Sequence, residues 1–348
     1  MPKTEHNSEK LFFIGANTSG GFVGYMNEIL CGLEKVYIIK GGPGTGKSTL
    51  MKKIAKSAKE NGFEPELYYC SSDSDSLDGV VIRSVGVGII DGTSPHCVDP
   101  QYPGAREEII NLGEFWDSDK LKTDFSAIKD LSDRKGELFE TVYKYLSVCK
   151  GLHAERERML RGCIDYEKAE RAAARLMRHM TRGENFALLP RQISAIGMNG
   201  VTVLDTYKAL SREYWYINDA RGMGGIFCEM LVKAAQNLSL EVWVSRNPLL
   251  EIDALYFPDS GIAVFCAGEE KNASRIINTE RFIIKNAVSE RRAGLRFLSR
   301  IEKELLSRTM SVFEEIKKCH FAIEDIYKSA MDFSQLDIVF EKLLKKIL

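Results

Sequence analysis

The sequence of 348 residues lacks several features that would place it in a specialised class. Its formal net charge is only −1, so no global field would draw it to nucleic acid. It contains no uninterrupted apolar run of about 18 residues, which a membrane-spanning helix needs. The polar start MPKTEHNSEK has no apolar signal-peptide core. The 8 cysteines never fall in a CxxC spacing, so neither a zinc site nor a redox pair is expected. We therefore expect a cytoplasmic protein with reduced thiols that binds neither membrane nor nucleic acid.

The composition that remains is that of a globular protein, with 44% apolar and 28% charged residues. Apolar runs of β-forming residues at 35–40, 66–70 and 85–91 alternate with an amphipathic stretch at 50–62 and a polar loop at 71–79. Strands that alternate with helices in this way predict an α/β fold with a parallel sheet flanked by helices.

The segment GGPGTGKST at 41–49 lies between a predicted strand and a predicted helix, and it matches the Walker A pattern G-x-x-x-x-G-K-[ST]. Glycines allow the backbone amides to converge on phosphate groups, and the helix N-terminus adds positive potential. Lys47 would contact the β- and γ-phosphates. The predicted nucleotide-binding residues are Gly41, Gly42, Pro43, Gly44, Thr45, Gly46, Lys47, Ser48 and Thr49.

Two further residues fit a magnesium site beside this loop. The Ser48 hydroxyl would bind Mg²⁺, which proteins hold through few side chains and several waters. Asp91 ends an apolar strand, as expected of a Walker B aspartate that orients a water bound to Mg²⁺. The expected ligand is a nucleoside triphosphate with Mg²⁺. ATP is the default because no NKxD-type motif for guanine occurs.

A hydrolase also needs a group that positions the attacking water. Gly92 follows Asp91, so no glutamate stands in the usual place. Asp73, Asp75 and His96 follow predicted strand ends, on the side of the sheet where open α/β folds bind ligands. Each is a candidate for this catalytic role, and the alternative is a solvated loop residue.

The second half of the chain aligns with the first in consistent order. The segment at 37–54 matches 215–232 with a shift of 178, and later segments match with shifts of 174–175 and then 167. This pattern predicts an internal duplication. The predicted domains are 1–182 and 183–348, each an α/β core followed by a helical arm. We expect the arms to occupy 105–182 and 276–348.

The second copy has lost the chemistry of the first. In the equivalent region, Gly225, Ile226 and Cys266 replace the phosphate lysine, the magnesium serine and the Walker B aspartate. We therefore predict no ordinary binding of Mg-nucleotide there. Arg221 lies in this loop and is a candidate arginine finger for the first site, if the halves pack face to face. Asp78 is retained as Asp253, which favours a turn or a helix cap.

Each arm also carries a histidine and a glutamate on one helical face, four residues apart: His153 with Glu157, and His320 with Glu324. Two interpretations remain open. The pairs form a repeated metal or substrate site, or they form a helix–helix contact that both copies inherited.

The segments IIKGGPGTGKSTLMKKI, CSSDSDSLDGVVI and IIDGTSPH resemble a family of bacterial P-loop ATPases with two tandem P-loop halves and no settled physiological role. The likeness covers most of the chain and is tightest in residues 11–117. It implies a tandem P-loop fold and ATP binding. Members commonly carry a Walker A motif in both halves, and this sequence departs from that pattern at Gly225 and Ile226.

These observations favour an ATPase with one active site in the first half, whose hydrolysis drives a rearrangement between the halves and the arms. A kinase for nucleotides or small molecules is an alternative. A nucleotide-gated scaffold that does not hydrolyse ATP is another. The arms could also contact a protein partner.

Overall fold

A computed structural model describes residues 9–94, 97–219, 221–266 and 272–347. In this part of the chain the protein is a mixed α/β structure with two six-stranded sheets. Long helices follow each sheet along the chain. We call residues 1–182 the first half and residues 183–348 the second half.

The described elements of the first half are, in chain order, β1 (Lys10–Phe13), β2 (Gly15–Thr18), β3 (Gly21–Gly24), α1 (Met26–Ile29), β4 (Lys35–Lys40), α2 (Lys47–Glu60), β5 (Glu66–Tyr69), β6 (Leu77–Ile82), β7 (Val87–Asp91), β8 (Glu107–Asn111), α3 (Ser118–Thr123), α4 (Phe125–Arg161) and α5 (Tyr166–Met177). Those of the second half are β9 (Ala187–Pro190), β10 (Ser194–Gly197), β11 (Gly200–Val203), α6 (Thr206–Leu210), β12 (Glu213–Asn218), α7 (Gly224–Asn237), β13 (Glu241–Arg246), β14 (Ile252–Phe257), β15 (Ile262–Phe265), β16 (Arg275–Asn278), α8 (Lys285–Ser329) and α9 (Ser334–Ile347).

The two sheets have the same topology. The first has the strand order β1-β5-β6-β7-β4-β8, and the second has β9-β13-β14-β15-β12-β16. In each sheet one strand, β6 or β14, runs antiparallel to both of its neighbours, and the remaining pairs are parallel. The β10–β11 hairpin takes the place in the second half that the β2–β3 hairpin has in the first.

The α/β class predicted from the sequence is confirmed, but the prediction of a parallel sheet needs correction. The connections on either side of β6 are too short for the crossover that a parallel pair requires, so they join antiparallel neighbours. The predicted loop at 71–79 also ends earlier, because β6 already begins at Leu77. Its apolar run VVI packs in the core.

The helical arms begin later than predicted. Residues 105–182 and 276–348 were expected to be helical, yet β8 and β16 occupy Glu107–Asn111 and Arg275–Asn278. Their isoleucines add edge strands beside β4 and β12, and a 3₁₀ turn follows each strand. These short runs form strands because they lie beside β4 and β12, whose backbone groups offer them hydrogen bonds.

The long helices α4 and α8 pack against each other in antiparallel directions. Arg134, near the start of α4, pairs with Glu315 toward the end of α8, whereas Gly162 after α4 adjoins Arg291 near the start of α8. Each long helix therefore carries the chain toward the opposite sheet.

As a result the halves exchange their last helices. Helix α5 packs on α7, and its Ala169 and Ala173 lie in the core of the second half. Helix α9 packs on α2, and its Leu336 and Leu343 lie in the core of the first half. The division at 182/183 follows the chain order, whereas each packed unit contains the final helix of the other half.

Candidate functional site

The loop at 41–46 connects the C-terminal end of β4 to the start of α2. Gly44 and Gly46 have φ angles of 72° and 85°, which lie in the left-handed region that glycine adopts without steric cost. Gly46 is also the N-cap of α2. Two glycines therefore turn the chain sharply enough to bring the loop over the helix N-terminus.

Lys47 folds back over this loop. Its ammonium donates hydrogen bonds to the carbonyl oxygens of Gly41 and Gly42, at 2.8 and 2.7 Å. The Nζ atom also lies 3.5 Å from Oδ2 of Asp91, and both side chains are only 11% exposed. The structure thus brings together the lysine and the aspartate that the sequence assigned to phosphate and magnesium.

Asp91 is placed by the register of the sheet, because β7 runs parallel to β4 and Asp91 lies opposite Ile39 at its end. The Thr93 N–H donates to Asp91 Oδ1 at 2.9 Å, and the Thr93 hydroxyl donates to the same oxygen. Burial raises the pKa of the Asp91 carboxyl, while the Lys47 ammonium opposes this rise. The Lys47 ammonium therefore favours the ionised form of this buried aspartate.

The residues present fit Mg²⁺ in their chemistry. The Ser48 hydroxyl oxygen accepts the Leu77 N–H at 2.9 Å, which leaves it a second lone pair. Together with the Asp91 carboxylate it forms a set of hard oxygen ligands, the type that Mg²⁺ prefers.

Asp73 and Asp75 lie in the loop between β5 and β6, on the C-terminal side of β5. Asn199, in the β10–β11 turn of the second half, donates to Asp73 Oδ1 at 3.4 Å and to Asp75 Oδ2 at 3.2 Å. Burial raises the pKa of Asp73, and His320 of α8 opposes that rise while Glu324 adds to it. Asp73 is therefore half-buried near second-half residues, whereas Asp75 is exposed. His96, the third candidate for water positioning, lies outside the described residues.

Asp78 has a different place from the turn or cap that the sequence favoured. It is 6% exposed and occupies a β-bulge, because Tyr68 pairs with Gly79 and Tyr69 with Leu77. Its carboxylate contributes to the raised pKa of Asp91. Bulges often re-aim a side chain beside a functional site. The polar run before Asp78 concealed a strand start, and the retained Asp253 was the one signal in the sequence.

The second-half loop contains a feature that sequence reasoning missed. Asp219 stands at the position of Gly41, 178 residues later. Its carboxylate accepts four hydrogen bonds from the backbone amides of residues 221–224 in its own loop. We call these four amides the amide cradle. The donors are the N–H groups of Arg221 at 3.3 Å, Gly222 at 2.9 Å, Met223 at 2.8 Å and Gly224 at 2.7 Å. The loop therefore does bind an anion, and the chain itself supplies it.

The other second-half positions have no magnesium chemistry. Ile226 is buried in the apolar core, and the Cys266 sulfur lies 3.0 Å from that of Cys228. Arg221 does not take the arginine-finger position considered for it. Its guanidinium pairs with Glu280 of the same half at 2.6 Å. Atoms of α8 lie against Gly42 and Gly44 of the first loop, and Arg156 of α4 lies against Gly222 of the second.

The two histidines on the arms have different surroundings. His153 is buried and pairs with Glu251, and its Nδ1 lies 3.8 Å from Glu302 of α8. Burial opposes protonation, but the hydrogen bonds to these carboxylates outweigh it and raise the pKa of His153 to about 9. The predicted pair of His153 with Glu157 does not form, because Glu157 pairs with Arg161 and His153 turns to Glu251, in the loop before β14, and to Glu302 of α8.

His320 pairs with Glu324 on α8 at 3.5 Å, and Lys328 pairs with the other oxygen of Glu324 at 2.7 Å. The hydrogen bond from His320 is the main reason that the pKa of Glu324 falls to about 2, and Lys328 adds to this effect. In residues 9–94, 97–219, 221–266 and 272–347, no group of three or more His, Cys, Asp or Glu side chains is placed to hold a metal ion.

The end of α8 and the start of α9 cover the first-half loop directly. Three loop glycines permit this approach, because a Cβ on any of them would meet a second-half atom closer than 3.0 Å. The contacts would join Gly42 to the Tyr327 ring at 2.9 Å, Gly44 to the Glu324 carbonyl oxygen at 2.6 Å, and Gly46 to a Leu336 methyl at 2.5 Å.

Comparison with protein-family models, with curated proteins and with solved structures found no match to this chain. Among the helices of the described residues, none combines the length and the apolar character that crossing a bilayer requires.

Proposed function

We propose that the protein is an ATPase that binds Mg-ATP at one site, formed by residues 41–49 with Asp91, in the first half. The observation that carries this proposal is the difference between the two loops at one position. In the second half the Asp219 carboxylate fills the amide cradle, and in the first half Gly41 takes its place.

The amides of the first loop support binding of an external anion. Gly44 and Gly46 correspond to Gly222 and Gly224, whose N–H groups bind the carboxylate of Asp219. Within the described part of the chain, the N–H groups of Gly44 and Gly46 donate to no protein acceptor. Amides at a helix N-terminus without an internal acceptor favour phosphate.

The charged groups around the loop match a triphosphate with its metal. The Lys47 ammonium donates to two loop carbonyls and lies 3.5 Å from Asp91. When a phosphate binds, the ammonium could leave the carbonyls and pair with the phosphate. When bound, Mg²⁺ would be held by Ser48 and Asp91 and would neutralise part of the phosphate charge. Asp73 and Asp75, in the loop after β5, are the described candidates for positioning water near this edge of the sheet.

The shared topology of the two sheets supports an internal duplication and a tandem P-loop architecture, with halves at 1–182 and 183–348. The exchanged helices support a role as a conformational switch. A change in the conformation of the first loop would move α8, because α8 packs on the loop glycines and extends along α4.

Calorimetry with ATP and Mg²⁺, together with assays of phosphate and ADP release, tests this function. Lys47→Ala is expected to weaken ATP binding by at least roughly tenfold, because it removes a charge-assisted phosphate contact. Gly225→Ala is the matched control at the equivalent second-half position and is expected to leave binding unchanged. Equal losses in the two variants would contradict the one-site proposal.

The same assay separates the three candidate activities. Phosphate released without an acceptor indicates an ATPase. ADP formed only when nucleosides or nucleotides are added as acceptors indicates a kinase. Tight ATP binding without turnover indicates a nucleotide-gated scaffold.

A further inference from the structure

We propose that the first-half site is completed by the second half, and that the Lys328 ammonium of α8 contacts the terminal phosphate of the bound ATP. This inference rests on the proposed ATP site. In this proposal Lys328 provides the positive charge from the second half that the sequence analysis had expected from Arg221.

Lys328 is placed at the loop by backbone packing. Its Cγ atom would lie 3.1 Å from a Cβ on Gly44, so the stem of the side chain crosses the loop at one of its amide-bearing residues. Beyond that atom two methylenes and the ammonium remain, and the side chain is 46% exposed. A flexible lysine in this position can reach a ligand held by the Gly44 amide.

In the present arrangement the ammonium is held by Glu324. Their 2.7 Å ion pair joins residues four apart on α8, and His320 contacts the other carboxylate oxygen. The Glu324 side chain is 19% exposed and that of Lys328 is 46% exposed, so solvent and a ligand can reach the ammonium. A phosphate could replace the carboxylate as the partner of Lys328, and Glu324 would keep its contact with His320. The ion pair with Glu324 keeps the Lys328 ammonium beside the loop in the absence of a bound anion.

The second half contains a filled version of the same arrangement. Gly222 is the counterpart of Gly44, and its N–H binds the internal carboxylate of Asp219. A Cβ on Gly222 would lie 3.1 Å from the guanidinium of Arg156, which belongs to α4, the long helix of the other half. In both halves, therefore, a basic side chain from the opposite long helix lies on the same loop glycine, and in the second half an anion is bound there.

The terminal phosphate is the group that Lys328 would meet. The loop amides and the α2 N-terminus enclose the phosphate nearest to them, as the amide cradle encloses the carboxylate of Asp219. Helix α8 approaches from outside the loop, on the other half of the protein. A cation arriving from outside contacts the outermost phosphate and therefore distinguishes ATP from ADP.

The experiment measures affinity by calorimetry for ADP and for a non-hydrolysable ATP analogue, each with Mg²⁺, in the full-length protein. Lys328→Met is expected to weaken binding of the analogue by at least about tenfold and ADP binding by less than about twofold, since a charged hydrogen bond to one phosphate is lost. Lys328→Arg is expected to restore the preference for the analogue.

Arg161→Met is the matched control. Arg161 occupies the position equivalent to Lys328 on α4, 167 residues earlier, and pairs with Glu157 as Lys328 pairs with Glu324. It is expected to leave both affinities unchanged.

Three results would overturn the inference, and each has a different meaning. Equal losses of ADP and analogue in Lys328→Met would show that the lysine only holds α8 in place. Unchanged affinities would show that it does not contact the ligand. If the unaltered protein binds neither nucleotide, the proposed ATP site itself fails, and the role of Lys328 fails with it.

Discussion

The backbone carbonyl of Glu324 packs directly against Gly44, so closely that a methyl group on Gly44 would lie 2.6 Å from the oxygen. A residue of the second half thus restricts which amino acid can occupy position 44 of the first-half loop. Glycine is required at this position both for a left-handed backbone with φ of 72° and for the approach of α8.

Gly44→Ala should destabilise the protein by about 1–3 kcal/mol, because alanine is strained at this φ and collides with α8. Thermal or urea unfolding measures the change. Gly136→Ala is the control on α4, where an added Cβ meets nothing within 4 Å. It should stabilise the protein by about 0.5–1 kcal/mol, as expected for an exposed helical glycine. A Gly44→Ala protein as stable as the unaltered one would contradict the contact with α8.

Asp219→Ala should open the amide cradle of the second half. The loss of charge-assisted hydrogen bonds is expected to lower stability by roughly 1.5–3 kcal/mol. Added sulfate should then recover part of the melting temperature by binding the vacated amides. The comparison is made in a Lys47→Ala background, so that the first site contributes less to the response.

Asp259→Ala is the control for this experiment, because Asp259 is an exposed carboxylate in a turn of the same half. It should lower stability little and create no new response to sulfate. If both aspartate variants respond to sulfate alike, the carboxylate of Asp219 is not acting in place of a bound anion.

The ion pairs of His153 predict a loss of stability at alkaline pH. The pKa of His153 is about 9 in the folded protein against 6.5 for the free side chain. Because the folded value is the higher one, the stabilisation is fully present below about pH 6.5 and disappears as the pH rises through 9. The size of the effect is at most about 3.4 kcal/mol, since the two pKa values differ by about 2.5 units and each unit corresponds to about 1.36 kcal/mol.

Urea unfolding at pH 6 and at pH 9.5 tests this prediction in the unaltered protein and in His153→Gln. The variant should lose most of the difference in unfolding free energy between the two pH values. His320→Gln serves as a comparison on the other arm, since His320 is more exposed than His153. If His153→Gln retains the full pH dependence, the buried histidine is not its source.

Much of the candidate site could be predicted from the sequence because its geometry is local. The glycine pattern of residues 41–46, the apolar run before it and the helix after it all lie within a few residues of one another. The strand that carries Asp91 was recognisable for the same reason, from its apolar run and the carboxylate at its end.

Other features depend on polar residues in unexpected surroundings. Asp78 follows the polar run SSDSDS and was interpreted as a turn residue, yet a bulge places it in a buried strand beside Asp91. The edge strands β8 and β16 were absorbed into the predicted arms, because a short isoleucine pair has no clear period by itself. Only pairing with β4 and β12 makes these segments strands.

Three properties could be predicted from the amino-acid order alone: the α/β class, the order of the repeated segments and the absence of the lysine, serine and aspartate at the equivalent positions of the second half. These properties depend on residue type and local spacing. Three further features are visible only in the folded protein: α9 covers the first sheet, Asp219 fills its own loop and Lys328 lies on Gly44. The contacts of α9 and of Lys328 join residues far apart in the chain, and they form because the apolar faces of the last helices are buried on the opposite sheets. The contact of Asp219 is local, and it depends on the loop conformation that turns the amides of residues 221–224 toward its carboxylate.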